Sequence, residues 1–224
     1  MRTRKFALTH FSWDAGAVTT PRPGLRDRKK QATRKSLRDA ALRLALECGP
    51  DNVRVDDIAE AAGVSPRTYN NYFSSREQAI VAAVTAERDA RVAEAVAARP
   101  ASTRLADAVT EAIVEQYTDP GSHDPRALLL ITASPALRDA FLDAADGIED
   151  PLTAVIAGRT GQHTARVLSA SIAAAVRIAL QQWLRPAAAD NGLVTVSGSL
   201  PDLLRAAIAP LTPALDAADR QPQQ

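Results

Sequence analysis

Between two alanine-rich runs the chain carries Gly63-Val64-Ser65-Pro66-Arg67-Thr68-Tyr69-Asn70-Asn71-Tyr72-Phe73, a stretch crowded with hydrogen-bonding and aromatic side chains. Ordinary surface helices favour Lys, Glu and Gln at exposed positions, whereas this one offers Arg67, Thr68, Asn70 and Asn71. Those residue types suit the edge of a nucleic acid. Arginine can grip guanine bidentately, asparagine can do the same for adenine, and hydroxyls bond phosphate oxygens.

The elements that would position them can be read from turn chemistry. Val55-Asp56-Asp57-Ile58-Ala59-Glu60-Ala61-Ala62-Gly63 predicts a short helix with acids in its first turn and a glycine stop. Ser65 followed by Pro66 predicts the next start, over residues 66–73, because the serine oxygen can cap free N–H groups and proline is tolerated at the first helical position. Two short helices joined by Gly63-Val64-Ser65 have the form of a helix-turn-helix, whose second helix enters a DNA major groove. Alanine-rich helix pairs with a glycine turn also occur in bundles, so spacing alone leaves that plainer reading open.

Net charge is only +1, so its distribution matters more than its total. Residues 1–38 carry Arg2, Arg4, Lys5, Arg22, Arg26, Arg28, Lys29, Lys30, Arg34, Lys35 and Arg38 against Asp14 and Asp27. Such an end seeks polyanions. Residues 1–24 read as a flexible basic tail, which can enter a groove or stay solvated. From Arg26 onward the charges ride on a helix over 27–48, whose apolar face is Leu37, Ala40, Ala41, Leu44, Ala45 and Cys48.

Further helices follow. Ser75 with Gln78, or Ser74 with Glu77, offers a capping box for a helix over 75–99. Leu105, Ala108, Val109, Ala112, Ile113, Gln116 and Tyr117 share a face that ends near Asp119-Pro120-Gly121. Asp124-Pro125 and Ser134-Pro135 open helices at 125–132 and from 135, the latter bent or split by Gly147 and Pro151. Helices over 163–187 and 200–218, the last capped by Ser199 with Asp202, complete about nine. Aromatics make up only 4% of the chain and alanine abounds, a bias that favours helix over strand and predicts an all-α fold.

The lone Cys48 has no disulfide partner, which suits a reducing cytoplasm, and no Cys/His spacing fits a zinc site. The basic N-terminus lacks the apolar run of a signal peptide, broken as it is by Thr9, His10, Ser12 and Asp14. Arg177, Gln181 and Gln182 interrupt the most apolar later segment, so no membrane span is expected. His10, His123 and His163 are scattered and no phosphate-cradling loop or nucleophile motif exists, so an enzyme is not expected and no cofactor or metal is called for.

The segment from about Lys29 to Val84 resembles the DNA-binding domain of the TetR family of bacterial transcriptional regulators. Val55-Asp56-Asp57-Ile58-Ala59, Ala62-Gly63-Val64-Ser65, Thr68, Tyr72-Phe73 and Ser75-Arg76-Glu77 carry the likeness. It covers about a quarter of the chain, and the remainder is similar only in helix count and length. The resemblance implies a DNA-binding domain over 25–74, a connecting helix over 75–100 and a ligand-binding and dimerisation domain over 101–220. It makes Ser65 the cap of the recognition helix and Pro66, Arg67 and Asn71 base-contact candidates. Thr68 and Tyr72 match phosphate-holding positions, Arg76 stands where the family commonly has a phosphate-binding lysine, and Phe73 looks like a core anchor. Arg34 and Val55 join the DNA-facing set. Two positions depart from the pattern: Asn70 replaces a usual aromatic, leaving adenine readout or a solvated face open, and Arg54 replaces a capping threonine.

The family's last two helices form a four-helix bundle with their copies, which implies a homodimer on palindromic operator DNA. Ala170, Ser171, Ala173, Ala174 and Ala175 are small enough for close helix approach, and Leu200, Leu203, Leu204, Ala207, Ile208 and Leu211 form an apolar face. The effector site is expected among the fifth to eighth helices, with Gln116, Tyr117, Phe141, Arg177, Gln181 and Trp183 as candidates. Few carboxylates fall on inward faces, which favours neutral or anionic lipophilic effectors over cationic ones. The expected function is a repressor released from its operator by such a molecule. The alternative is a helix-turn-helix protein without a small effector, controlled by a protein partner or acting architecturally.

Overall fold

Proline and glycine set most of the helix boundaries along this chain. The computed structural model describes residues 24–119, 125–185 and 198–219. The basic tail residues Arg2, Arg4, Lys5 and Arg22 lie outside the described residues, as do residues 120–124, His123 among them.

The first four helices are α1 (Leu25–Cys48), α2 (Val55–Ala61), α3 (Pro66–Asn70) and α4 (Arg76–Ala98), with a 3-10 turn at Pro50–Asn52. Then come α5 (Leu105–Thr118), α6 (Pro125–Ala133), α7 (Pro135–Asp143), a 3-10 turn at Ala144–Ile148, α8 (Glu149–Thr160) and α9 (Gln162–Trp183). The chain closes with α10 (Leu200–Ile208), a 3-10 turn at Ala209–Leu211 and α11 (Thr212–Asp219). The fold is all-α.

Nine predicted helices become eleven among the described residues because two of them break. The helix that starts at Pro135 tightens into the 3-10 turn before Pro151, the expected split. The helix expected to run unbroken over 200–218 does not: Pro210 and Pro213 each remove a backbone donor, and a 3-10 turn separates α10 from α11. Ser199 makes no side-chain cap bond to α10. The expected α3 is also shortened, since the amides of Asn71 and Tyr72 turn back to the carbonyls of Thr68 (3.1 Å) and Tyr69 (2.8 Å) in the tighter i→i−3 pattern.

Leu37, Ala41 and Ala45 of α1 bury against Ile58 and Ala59 of α2, Tyr69 of α3 and Phe73, forming the small N-terminal core. Fully burying the larger of these, Leu37, Ile58 and Phe73, contributes about 1.5–3 kcal/mol each, and the alanines less. The cap of α4 is a variant of the predicted box: Ser75 Oγ accepts from the Gln78 amide at 3.1 Å, while Gln78 Oε1 accepts from the Ser74 amide at 2.8 Å.

Helix α4 packs on α1 at one end and on α5, α7 and α8 along the rest, so it joins both ends of one continuous apolar cluster. Arg38 of α1 pairs with Glu87 of α4 at 2.9 Å across that junction. At the far end Arg159 holds α11 by bonding both carboxylate oxygens of Asp219, at 2.7 and 2.6 Å, and the Thr103 carbonyl at 2.9 Å. No described helix is long and apolar enough to cross a membrane.

Candidate nucleic-acid interface and effector site

The turn between α2 and α3 is built by Gly63, whose φ of 70° is left-handed backbone that a side chain would strain. Its amide bonds the Glu60 carbonyl at 2.9 Å, and the Val64 amide bonds the Ala59 carbonyl at 2.9 Å, which together close α2 in a Schellman motif. Val64 then packs half-buried against the core as the plug of the turn. Ser65 Oγ accepts from the Thr68 amide at 3.2 Å and lies 2.9 Å from Thr68 Oγ1, so α3 starts with the predicted cap and with Pro66 in its first turn.

The inner side of α3 is anchored by Tyr69, fully buried, its ring 5.9 Å from that of Phe73. Its hydroxyl donates to the Ser75 carbonyl at 2.7 Å, tying α3 to the start of α4, and burial first, then the charge of Glu77, pushes that phenol up to about 12. Sequence reasoning named Phe73 as the anchor and missed Tyr69. Its signal was position: Tyr69 falls on the side of α3 opposite Arg67 and Asn71.

The outer side follows from helical spacing. Arg67, Asn70 and Asn71, at i, i+3 and i+4, are all exposed, beside exposed Ser65 and Pro66. Asn70 therefore stands with the candidate base readers. Thr68 and Tyr72 are half-buried at the margins. Arg54 is exposed before α2, where the Asp57 carboxylate accepts from its amide at 3.2 Å and supplies half of a capping box; Val55 behind it is half-buried. Among the described residues no side chain pairs with the guanidinium of Arg54 or Arg67. Arg34 is also exposed, with its guanidinium 5.1 Å from the centroid of the Phe73 ring.

Arg76 departs from expectation. Instead of reaching outward for phosphate, its Nη1 donates to the carbonyls of Asp51 (2.8 Å) and Val53 (2.9 Å), and its Nε donates to Glu77 at 2.7 Å. It staples the 3-10 turn before α2 to the head of α4, because the Pro50–Asn52 turn leaves two carbonyls facing that helix terminus.

Only some of the effector candidates meet. Tyr117 of α5 and Phe141 of α7 are buried and share one neighbour, Arg88 of α4, whose guanidinium carbon lies 3.8 Å and 5.4 Å from the two ring centroids. Gln116 is engaged nearby, accepting from Arg91 Nε at 2.9 Å. Arg177 instead pairs with Asp146, and with Asp143 at 3.9 Å, while Gln181 is exposed and Trp183 half-buried on α9. These three do not join the cluster. A separate groove between the end of α1 and α6–α7 is lined by Leu46, Pro50, Leu130 and Ala133, away from every candidate.

The residues that sequence reasoning missed are Arg88 and Asp89. Both lie on the inward stripe of α4 with Val81, Thr85, Val92 and Val96, so a charged pair inside an apolar periodicity was the available signal. Burial drives the Asp89 carboxyl up to about 6 against the opposing charge of Arg88. Burial likewise pushes the Tyr117 phenol to about 12, which keeps it a neutral donor.

Residues 37–83 match the family described as bacterial regulatory proteins, tetR family. Across 189 residues the chain is 29% identical to the HTH-type transcriptional regulator TcmR of Streptomyces glaucescens, covering 78% of this chain and 83% of that one. Over 80 residues it is 38% identical to the HTH-type transcriptional regulator BetI of Rhizobium meliloti (strain 1021), covering 36% of this chain and 39% of that one. A solved structure of the multidrug binding protein EbrR complexed with imidazole is similar at 22% identity with a TM-score of 0.40, over 85% of this chain and 97% of that one.

Proposed function

The chain belongs to the TetR family of bacterial transcriptional regulators, and on that premise we propose that it is a homodimeric repressor released from its operator by a small lipophilic effector. As a helix-turn-helix regulator it binds operator DNA. The observation that carries the finer reading is the division of α3: Tyr69 is clamped beneath, while Arg67, Asn70 and Asn71 stand exposed together at the tip of the small domain. In this reading residues 25–74 read DNA, residues 75–100 connect, and residues 101–220 hold the effector and the dimer contact.

Two sites communicate only through an element that responds to both. Helix α4 has that position, with Ser75 and Arg76 at the DNA-facing head and Arg88 and Asp89 in the interior about 18 Å further along at 1.5 Å per residue. A shift of α4 driven by effector would change the separation of two recognition helices that must span successive major grooves. For the dimer, α9 presents Val167, Ala170, Ala174 and Ile178 on an exposed stripe, with Val167 53% and Ile178 59% exposed. Buried Ala173 and Ala175 serve the subunit's own core instead.

The test is retention of fragments of the protein's own upstream DNA at physiological salt with random DNA as competitor. Selective retention of a palindromic fragment is expected. Uniform, salt-sensitive retention would replace the reading with an architectural one.

A further inference from the structure

Charged side chains as deep as Arg88 and Asp89, 7% and 9% exposed, are rare unless fully paired. This pair is not. Arg88 Nε lies 3.7 Å from Asp89 Oδ1, beyond hydrogen-bond reach. Arg88 Nε, Arg88 Nη2, Asp89 Oδ1 and the Tyr117 hydroxyl all lack a hydrogen-bond partner while shielded from solvent. Leaving one such group unsatisfied costs about 1–3 kcal/mol, and more where the group is charged. Four such atoms gather around one guanidinium.

The two idle donors of Arg88 define what fits. Nε and Nη2 are neighbours on one edge of the planar guanidinium, and their N–H bonds run parallel at the spacing of the two oxygens of a carboxylate. The Tyr117 and Phe141 rings lie 3.8 Å and 5.4 Å from the guanidinium carbon, and Asp89 Oδ1 lies 3.7 Å from Nε. We propose, resting on the effector-released reading above, that this fork is the effector anchor and that the effector is a lipophilic carboxylic acid. Its two oxygens take Nε and Nη2 of Arg88, and its apolar body lies against the core of α5 and α7.

The neighbouring carboxylate must take up a proton for this. Asp89 is faced by Arg88 on its own helix, by Tyr117 from α5 and by the backbone of Gly147 from the Ala144–Ile148 turn, whose Asp146 is neutralised by Arg177. Burial already inclines Asp89 to hold a proton, so an arriving carboxylate raises it further. Asp89 takes one proton from solvent and can donate it to the ligand, while the Tyr117 hydroxyl supplies another donor. A cationic ligand would meet the fixed charge of Arg88.

The experiment is calorimetric titration of the full chain with decanoate and 2-naphthoate, as aliphatic and aromatic acids, against their methyl esters and decylamine. Each probe is also added to the complex with the upstream DNA fragment. At least tenfold tighter binding of one acid than of its ester is expected, and whichever acid wins identifies the source class. Arg88→Gln should lose that preference, and Arg88→Lys, which keeps the charge without the fork, should recover only part of it. Equal binding of acid and ester, preference for decylamine, or no binding of any probe at millimolar concentration overturns the proposal on the unmodified protein, whatever the variants do. Release of DNA by the ester or the amine alone would overturn the carboxylate anchor and leave the effector-released repressor standing. Absence of selective DNA retention would fail the repressor reading by a separate readout.

Discussion

Gly147 presses its backbone against the carboxylate of Asp89 so closely that a methyl group there would lie 2.5 Å from Oδ2 and 3.3 Å from Cγ. Its φ is not in the left-handed region, so the turn itself does not demand glycine. The demand comes from α4. Gly147→Ala should force Asp89 off its position and cost about 1–3 kcal/mol through overpacking, measurable by urea denaturation. An unchanged midpoint would mean that the carboxylate swings away freely.

Asp89 also predicts a pH dependence. Its carboxyl titrates near 6 in the folded chain against an ordinary 3.8, because burial disfavours the charged form. The folded state therefore holds this proton over a range where the unfolded state has released it. The contribution to stability is complete below about 4 and is lost as pH rises through about 6, a swing of about 3 kcal/mol. Asp89→Asn removes the titration, so the stability difference between parent and variant should move against the parent between pH 4 and pH 7. Parallel curves over that range would refute the assignment.

Arg76 and Arg67 look alike in sequence and should behave differently. Arg76 is committed to the carbonyls of Asp51 and Val53, so Arg76→Ala should lower thermal stability by about 1–3 kcal/mol, chiefly through the part-buried Val53 carbonyl it leaves without its donor. DNA affinity of the surviving folded fraction, and its salt dependence, should change little.

Arg67→Ala and Asn71→Ala should leave stability within about 0.5 kcal/mol, since both side chains are exposed. Each should instead cost about 1–3 kcal/mol on the operator and almost nothing on random DNA. Competition assays that show equal losses on both kinds of DNA would move these residues from base reading to phosphate contact.

Ile178 is 59% exposed in a single chain. If the stripe through Val167, Ala170 and Ala174 is the dimer contact, Ile178→Glu buries an unpaired charge there and should shift sedimentation from dimer to monomer, with loss of operator binding. A variant that stays dimeric would exclude this stripe.

Local rules were enough for much of this protein. The Ser65 cap, the Gly63 turn and the helix breaks near Gly147 and Pro151 depend on backbone chemistry within a few residues, and that chemistry is written in the chain. The exposed side of α3 was legible for the same reason, since three residues at helical spacing must share a face. The failures were of two kinds. Pro210 and Pro213 were a local signal passed over because the apolar periodicity ran through them. Arg76 and Arg88 could not have been placed locally, since their environments are made by residues far along the chain.

What the sequence determined by itself was the all-α architecture, the helix-turn-helix and the exposed side of α3, because each follows from short-range hydrogen bonding and amphipathic spacing. Only the tertiary structure decided that Arg76 spends its donors on Asp51 and Val53, that Arg177 pairs outward with Asp146, and that Arg88 lies buried beside Asp89 and against the rings of Tyr117 and Phe141. The reason is physical: a charged side chain takes its role from whichever partners and desolvation the packed helices impose, and for these three arginines the partners lie up to 53 residues away in the chain, as Phe141 does from Arg88.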